Sequence, residues 1–242
     1  MGTRERRQRE VAEREQFFLQ AARVLIREEG LLNLQMSRVA ERCEYAVGTL
    51  YQHFTSKEDL VLALAAEGSV EHAALFDRVQ RWQASSRDRM FAIGVCSSLF
   101  VRRNPDHFRI SQYALCDVVW RAASASRREA FLEVSNPIGA MVTGIVEDGV
   151  REGALALRGL SPGEFTVGLW ALCMGTHNLV HTEGILDQMR LNDPYRLLCR
   201  HINGLLNGYS WKPWVDPADD AALDALFDRI CHEVFDDLRC AD

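Results

Sequence analysis

Apolar residues along this chain recur at helical spacing almost throughout. The first predicted helix spans residues 10–29 and ends at Gly30. Its apolar face consists of Phe18, Ala21, Ala22, Leu25 and Ile26. No run of alternating apolar and polar residues indicates a strand. The pattern therefore predicts an all-α fold.

Two shorter helices are predicted next, at residues 36–43 and 47–53. Met36, Val39, Ala40 and Cys43 share one face of the first, and Leu50 lies on the inner face of the second. Helices this short are unstable alone, because helix nucleation is costly, so both must pack against neighbours. A short helix, a turn and a second short helix together are typical of a helix-turn-helix DNA-binding unit.

The same stretch carries a family resemblance. Its motif is Val39-Ala40, then Gly48-Thr49-Leu50-Tyr51-x-His53-Phe54-x-Ser56-Lys57-x-x-Leu60. This motif resembles the N-terminal signature of the TetR family of bacterial transcriptional regulators, over residues from about 10 to 60. The resemblance implies a three-helix DNA-binding domain at residues 1–56, with a basic N-terminal arm. It also implies a larger helical bundle at 57–242 that binds a ligand and dimerises.

Capping signals divide the remaining chain into further predicted helices. Their approximate bounds are 57–82, 88–101, 105–120, 125–134, 137–152, 161–183, 193–209 and 218–239. Asn136-Pro137 is expected to interrupt the region between 125 and 152, and Ser161-Pro162-Gly163-Glu164 has full capping-box spacing. The last helix is an extension relative to many TetR-like chains. The linker at 211–217 is expected to hold it against the body.

Composition and charge agree with a DNA-binding protein of the cytoplasm. The chain is 48% apolar and 26% charged, and its apolar runs are too short for a transmembrane helix. The N-terminus lacks the apolar segment of a secretory signal. The net charge of −6 arises entirely beyond residue 60, and the first nine residues hold four arginines and one glutamate. The alternative for this arm is an ordinary solvated tail.

The seven cysteines, at positions 43, 96, 116, 173, 199, 231 and 240, are expected to be reduced thiols.

The resemblance places the DNA contacts on and around the second short helix. Val47 and Gly48 match positions that meet base edges, with Ala46 just before them. The positions matching phosphate contacts are Thr49, Tyr51, His53 and Lys57. Lys57 also lies at a predicted helix N-terminus, which favours an anion. Further candidates are Gln52 for a base or a phosphate, and Arg38 and Arg42 for the DNA backbone. The alternative for each residue is a solvated or core side chain.

The chain departs from the family pattern in this unit. It has Glu44 where the family has glycine, so a left-handed turn would be strained or the turn would differ. Gln35 and Ala46 replace residues that would cap the two short helices, and Tyr45 replaces a small apolar residue. Apolar Ala46 and Val47 favour contacts with thymine methyl groups.

The resemblance also implies a ligand site inside the C-terminal bundle, and a small apolar or aromatic molecule is the expected ligand. The candidate lining residues are Phe100, Tyr113, Trp120, Met141, Trp170, Met174 and His177. Plain core packing is the alternative for each. Cys173, His177 and His181 are spaced i, i+4 and i+8, so they lie along one face of the predicted helix. They could bind a metal, lie at an interface or in a ligand pocket, or pack in the core. Because successive helical turns are about 5.4 Å apart, one ion cannot easily meet all three, and we predict no metal and no cofactor.

The resemblance thus implies a homodimeric, ligand-responsive repressor that releases a palindromic operator when the ligand binds. No enzyme is predicted, since no hydrolase or nucleotide-binding motif is present. The alternative is a TetR-like ligand- or metal-binding protein with weak or lost DNA binding. The dimer surface is expected on the helices at 161–184 and 193–209. Its expected apolar and small residues are Leu169, Leu172, Leu179, Leu198, Ile202, Leu205, Gly168, Gly175, Gly204 and Gly208.

Overall fold

The computed structural model describes residues 3–238, and every regular element within them is helical. The α-helices are α1 (Thr3–Glu29), α2 (Met36–Arg42), α3 (Val47–Tyr51), α4 (Lys57–Arg81), α5 (Ser86–Arg103), α6 (Pro105–Ala114), α7 (Asp117–Ala122), α8 (Ala125–Arg151), α9 (Pro162–His181), α10 (Pro194–Gly208) and α11 (Asp220–Glu233). The predicted all-α fold is confirmed. Cys240 lies outside the described residues, and the last helix, predicted to end at about residue 239, ends at Glu233.

The predicted caps at the starts of α9 and α4 are present. The Ser161 hydroxyl accepts a hydrogen bond from the Glu164 amide at 3.2 Å, and the Glu164 carboxylate accepts one from the Ser161 amide at 2.7 Å. This is a complete capping box, which satisfies two amides at the start of α9. At α4, the Ser56 hydroxyl accepts from the Asp59 amide at 3.1 Å. The Asp59 carboxylate does not reciprocate, because it bonds elsewhere.

Most predicted helix bounds differ from the structure by a few residues, and three differences change the architecture. The first helix begins at Thr3 rather than at residue 10, so the basic arm is helical where it is described. The helix predicted at 105–120 is two helices, because Cys116 is extended and α7 begins at Asp117, an acidic residue suited to a helix N-terminus. The predicted break at Pro137 is absent and α8 is continuous. Pro137 and Glu133, whose carbonyl the proline leaves unbonded, are both exposed, so water can satisfy that carbonyl.

The chain divides into two compact units. The first comprises described residues up to 70 together with 104–135, and the second comprises 71–103 with the described residues from 136 onwards. Each unit has its own apolar core. Phe18, Leu50 and Phe54 are fully buried in the first. Trp211 and Ile202 are fully buried in the second. The boundary predicted near residue 56 separates the DNA-binding region from the region that binds ligand and dimerises. It is defined by function rather than by contacts, and it stays a prediction.

The linker before α11 is bonded to the body of the second unit. Arg87, which is fully buried, donates to the Trp211 carbonyl at 3.0 Å and to the Asn207 side-chain oxygen at 2.8 Å. The Asn207 side chain also donates to the Val215 carbonyl at 2.6 Å. Burial lowers the pKa of Arg87, since its partners are neutral. The charge-assisted bond from Arg87 to Trp211 ties the linker to the first turn of α5, and the bond from Asn207 to Val215 ties it to α10.

Candidate nucleic-acid interface

Helices α2 and α3 form a helix-turn-helix in the first unit. Met36, Val39 and Ala40 of α2 and Leu50 of α3 are buried, together with the inner face of α1. The turn between α2 and α3 passes through Glu44, whose φ is 59°. The expected left-handed turn is therefore present, and a glutamate adopts a conformation that costs an L-residue about 1–2 kcal/mol.

Helix α3 presents its outer face to solvent. The exposed residues there are Ala46, Val47, Gly48, Tyr51 and Gln52, and Thr49 is half-buried. Tyr51 is 47% exposed, and a Cβ on Gly48 would meet no heavy atom within 4 Å. This face is exposed to solvent in the described structure, and DNA contact by these residues stays a prediction.

Both short helices begin without a side-chain cap. Gln35 precedes α2 and Ala46 precedes α3, each in an extended conformation and each without a side-chain hydrogen bond to the helix. A missing cap typically costs about 1 kcal/mol. The position of α3 therefore depends on its tertiary contacts.

The candidate arginines of α2 are engaged within the unit. Arg38 donates to the Glu29 carboxylate at 2.7 Å, and Arg42 donates to Glu28 at 2.8 and 3.2 Å. These pairs are exposed and individually weak. A phosphate contact by either arginine would exchange a carboxylate partner for a phosphate one.

Lys57 and His53 lie in different settings. The Lys57 ammonium donates to the Leu32 carbonyl at 3.0 Å at an exposed site. The His53 side chain is only 6% exposed, with Nδ1 3.9 Å from the Glu15 carboxylate and its ring 5.4 Å from the Phe18 ring. Burial lowers the pKa of His53 against the opposing effect of Glu15. The predicted phosphate contact of this imidazole is contradicted, because the ring points inward.

The candidate ligand residues belong to different units. Tyr113 and Trp120 pack beside the core of the first unit. Phe100, Met141, Met174 and His177 belong to the second unit, where Phe100 and His177 are buried and Met141 and Met174 are half-buried. Trp170 is 61% exposed on the outer face of α9, so its predicted inner-face position is wrong.

A polar pair lies inside the second unit. The Ser97 hydroxyl and His177 Nε2 are 3.0 Å apart, and both residues are buried. Burial, followed by the nearby His181, lowers the pKa of His177 to about 4, so the ring is neutral at pH 7. The described residues contain no group of three His, Cys, Asp or Glu side chains that could hold a metal ion.

Cys43, Cys96, Cys116, Cys173 and Cys199 are free thiols. Burial, followed by the neighbouring Cys199, raises the pKa of Cys173 to about 12. Burial also raises the pKa of Cys96 and, to about 12, that of Cys199. These three thiols are therefore protonated at neutral pH and unreactive.

Part of the expected dimer surface is internal. Leu169, Leu198 and Ile202 are buried in the core of the second unit, so their predicted place on the surface is wrong. Leu169 lies four residues from both Phe165 and Cys173, which gives α9 its inner stripe. The exposed face of α9 includes Val167, Gly168, Trp170, Ala171, Gly175 and Leu179.

Sequence reasoning missed the contacts that surround the end of α3. Asp59 accepts a hydrogen bond from Ser124, and Arg127 donates to the His53 carbonyl. None of Asp59, Ser124 and Arg127 was a candidate site residue. Asp59 has only a capping signal in the sequence, and Ser124 precedes a predicted helix. Nothing in the sequence pairs residues 65 positions apart.

No helix in the described range 3–238 has the length and hydrophobicity to cross a membrane.

Comparison with known proteins agrees with this architecture. The family model for bacterial regulatory proteins of the tetR family matches residues 18–64. No curated protein sequence gives a significant match. A transcriptional regulator of the TetR/AcrR family from Thermobifida fusca has a similar structure, with a TM-score of 0.60 and 21% identity over 81% of this chain and 98% of its own.

Two further structures share the fold. SmeT, described as the repressor of a Stenotrophomonas maltophilia multidrug efflux pump, has a TM-score of 0.57 and 16% identity, over 84% of this chain and 94% of its own. RolR, solved with resorcinol, has a TM-score of 0.55 and 14% identity, over 91% and 96%. The sequence match assigns residues 18–64, which contain the helix-turn-helix, to the tetR family of bacterial regulatory proteins, and the chain as a whole shares the fold of TetR/AcrR regulators.

Proposed function

We propose that this protein is a ligand-responsive transcriptional regulator that binds double-stranded operator DNA through the outer face of α3. The supporting observation is the bare face of Ala46, Val47, Gly48, Tyr51 and Gln52, inside the segment that the family model matches. Side chains at the first turn of such a helix meet base edges in the major groove. Such a protein would act in the cytoplasm and would need no cofactor, and we propose no enzymatic role.

The protein acts as a homodimer on a palindromic operator in this proposal. The exposed face of α9 carries Trp170, Val167 and Leu179 beside Gly168 and Gly175, where small residues permit close approach of a second helix. An exposed apolar face of this kind marks an interaction surface. A dimer with two α3 helices reads two half-sites related by a two-fold axis.

We propose a small apolar or aromatic effector that binds in the second unit and releases the DNA. The Ser97 and His177 pair is buried in the second unit, the Tyr195 ring lies 5.8 Å from the His177 ring, and the histidine is neutral. Such a site favours an uncharged ring that carries a hydrogen-bonding group. The resorcinol bound to RolR has this chemistry, so a phenol series is a suitable first panel for a DNA-release assay.

The proposed function is tested by equilibrium binding to the promoter DNA of the protein's own gene. Gly48→Asp adds a carboxylate on the outer face of α3, where its Cβ meets nothing within 4 Å, so the fold should survive. We expect binding weakened by at least about tenfold, because a wrong group at a base-edge position costs about 1–3 kcal/mol. Gly139→Asp, at an exposed site on α8 with equal free space, is the control and should bind like the wild type.

A second candidate function has its own support. The two missing caps, the carboxylate of Glu44 in the turn and the pairing of Arg38 and Arg42 would all weaken DNA binding. The alternative is a ligand- or metal-binding protein of TetR fold that no longer binds DNA. Absence of wild-type binding at low salt, combined with ligand-induced thermal stabilisation, would favour this alternative.

A further inference from the structure

The start of α8 is bonded to the helix-turn-helix by a group of side chains within the first unit. We call this group the α8 anchor; it comprises Ser124 and Arg127 with their partners Asp59, Glu15 and the His53 carbonyl. All of these groups lie in the described part of the first unit. None of the anchor side chains belongs to the predicted DNA-contacting face.

Arg127 makes the contacts nearest to α3. One guanidinium nitrogen donates to the His53 carbonyl at 2.8 Å, and another lies 2.6 Å from the Glu15 carboxylate. The guanidinium carbon lies 4.8 Å from the centre of the Phe54 ring. His53 and Phe54 lie two and three residues beyond Tyr51, the last residue of α3, so a single planar cation holds the chain just after α3 ends.

Asp59 makes the second half of the anchor. Its carboxylate is buried and accepts from the Ser124 amide at 2.7 Å and from the Thr55 hydroxyl at 2.6 Å. The Ser124 hydroxyl in turn accepts from the Arg127 amide at 3.3 Å and so caps α8. One carboxylate therefore bonds both the turn before α4 and the turn before α8.

These bonds matter for α3 because that helix has little stability of its own. It is five residues long and has no side-chain cap, and short helices depend on tertiary contacts. Its inner side is held by Leu50 in the core, while its C-terminal end is held by the α8 anchor. Charge-assisted bonds with partly buried partners are directional, so they fix an orientation as well as a position.

We propose that the α8 anchor orients α3 for DNA binding, with Arg127 as a positioning residue that touches no DNA. This inference rests on the proposed function, since it names what sets the geometry of the same interface. Helix α8 continues from the anchor to Arg151.

The first test compares Arg127→Met with Arg121→Met in binding to the protein's own promoter DNA. Arg121 is exposed on α7 and pairs only with Asp117 one turn away, so the control loses the same charge without touching the anchor. Arg127→Met should bind about tenfold or more weakly, because charge-assisted bonds are lost, and Arg121→Met should bind like the wild type. Arg127→Lys, which retains one donor, should lie between them.

The salt dependence separates positioning from direct contact. A positioning residue leaves the slope of log K against log salt unchanged, whereas loss of a phosphate contact reduces its magnitude by about 0.9. A reduced slope in Arg127→Met would overturn the proposal, and so would wild-type affinity.

Hydrogen exchange provides a measurement that needs no DNA. In Arg127→Met the backbone amides of residues 50–54 should exchange about tenfold faster, while those of α9 and α10 stay as in the wild type. Equal acceleration in every helix would show a merely structural role and would contradict the proposal. Glu15→Gln weakens the contact between Glu15 and the Arg127 guanidinium more mildly. It replaces Arg127→Met in the exchange measurement if Arg127→Met does not fold. If the wild type does not bind DNA, the proposed function fails, and exchange at residues 50–54 still decides whether the anchor holds α3.

Discussion

At the scale of single residues, Glu44 shows how far a sequence departure can be interpreted. The family has glycine at this position, and the sequence therefore predicted either strain or a different turn. The structure has the strained turn, with a φ of 59°. His53 shows the limit, because the motif matched a phosphate position while the ring lies against Glu15 and Phe18. A side-chain direction depends on neighbours that a local motif does not contain.

Glu44→Gly should stabilise the protein and strengthen DNA binding. The left-handed conformation costs a glutamate about 1–2 kcal/mol, and the added freedom of glycine in the unfolded chain offsets about 0.4–1 kcal/mol of that. We expect a free energy of unfolding higher by about 0.5 kcal/mol, measured by urea denaturation. Glu44→Gln removes only the charge, so it should strengthen DNA binding without stabilising the fold. A less stable Glu44→Gly protein would contradict the assigned turn.

His177 should make the stability of the second unit depend on pH. Its pKa is lowered to about 4 in the folded chain, against about 6.5 in an unfolded one. Between these values the unfolded chain binds more protons, so the free energy of unfolding falls as the pH decreases from about 6.5 to about 4. The loss attributable to this group is of the order of 3 kcal/mol at the lower limit. His177→Gln should flatten this part of the profile, and identical profiles would disprove the assignment.

At the scale of elements, capping chemistry predicted helix starts better than proline predicted helix ends. The capping box at Ser161 and Glu164 is present as its spacing indicates. Pro137 was expected to break a helix and does not, because the surface there lets water replace the missing bond. The α8 anchor, which carries our further inference, had no signal in the sequence, since its partners come from α1, α4 and α8.

Gln35→Ser should stabilise the helix-turn-helix. Gln35 precedes α2 with φ −126° and ψ 135°, an extended conformation that suits an N-cap, but its side chain makes no cap bond. A serine hydroxyl at this position can accept from an amide of the first turn, which is typically worth about 1 kcal/mol. Thermal unfolding should show a higher midpoint for Gln35→Ser and no gain for Gln35→Ala, which cannot cap. A gain in both variants would exclude capping as the cause.

At the scale of the whole molecule, the sequence predicted the all-α class, the helix-turn-helix and a division at about residue 56, while the actual membership of the two compact units emerged only from the structure. The first unit joins residues up to 70 with residues 104–135. That grouping depends on contacts between distant segments, such as Ser124 with Asp59, which no local pattern records. The same reason explains why Leu169 and Ile202 were expected outside and are buried.

Trp170→Glu should convert the proposed dimer into a monomer. Trp170 is exposed near the middle of the outer face of α9, and a carboxylate buried there without a partner would oppose association. Trp214→Glu is the matched control, because Trp214 is equally exposed but lies in the linker before α11. Sedimentation velocity at micromolar concentration should show a monomer for the first and a dimer for the second. A monomeric wild type would contradict the dimer outright.

A footprint of the wild-type protein on the promoter DNA of its own gene tests the central claim most directly. A dimer that reads DNA through two copies of α3 should protect two symmetric half-sites in the major groove, about 34–36 Å or a multiple of one helical turn apart. Protection should disappear in Gly48→Asp and persist in Gly139→Asp. Protection without two-fold symmetry, or none at low salt, would contradict the account.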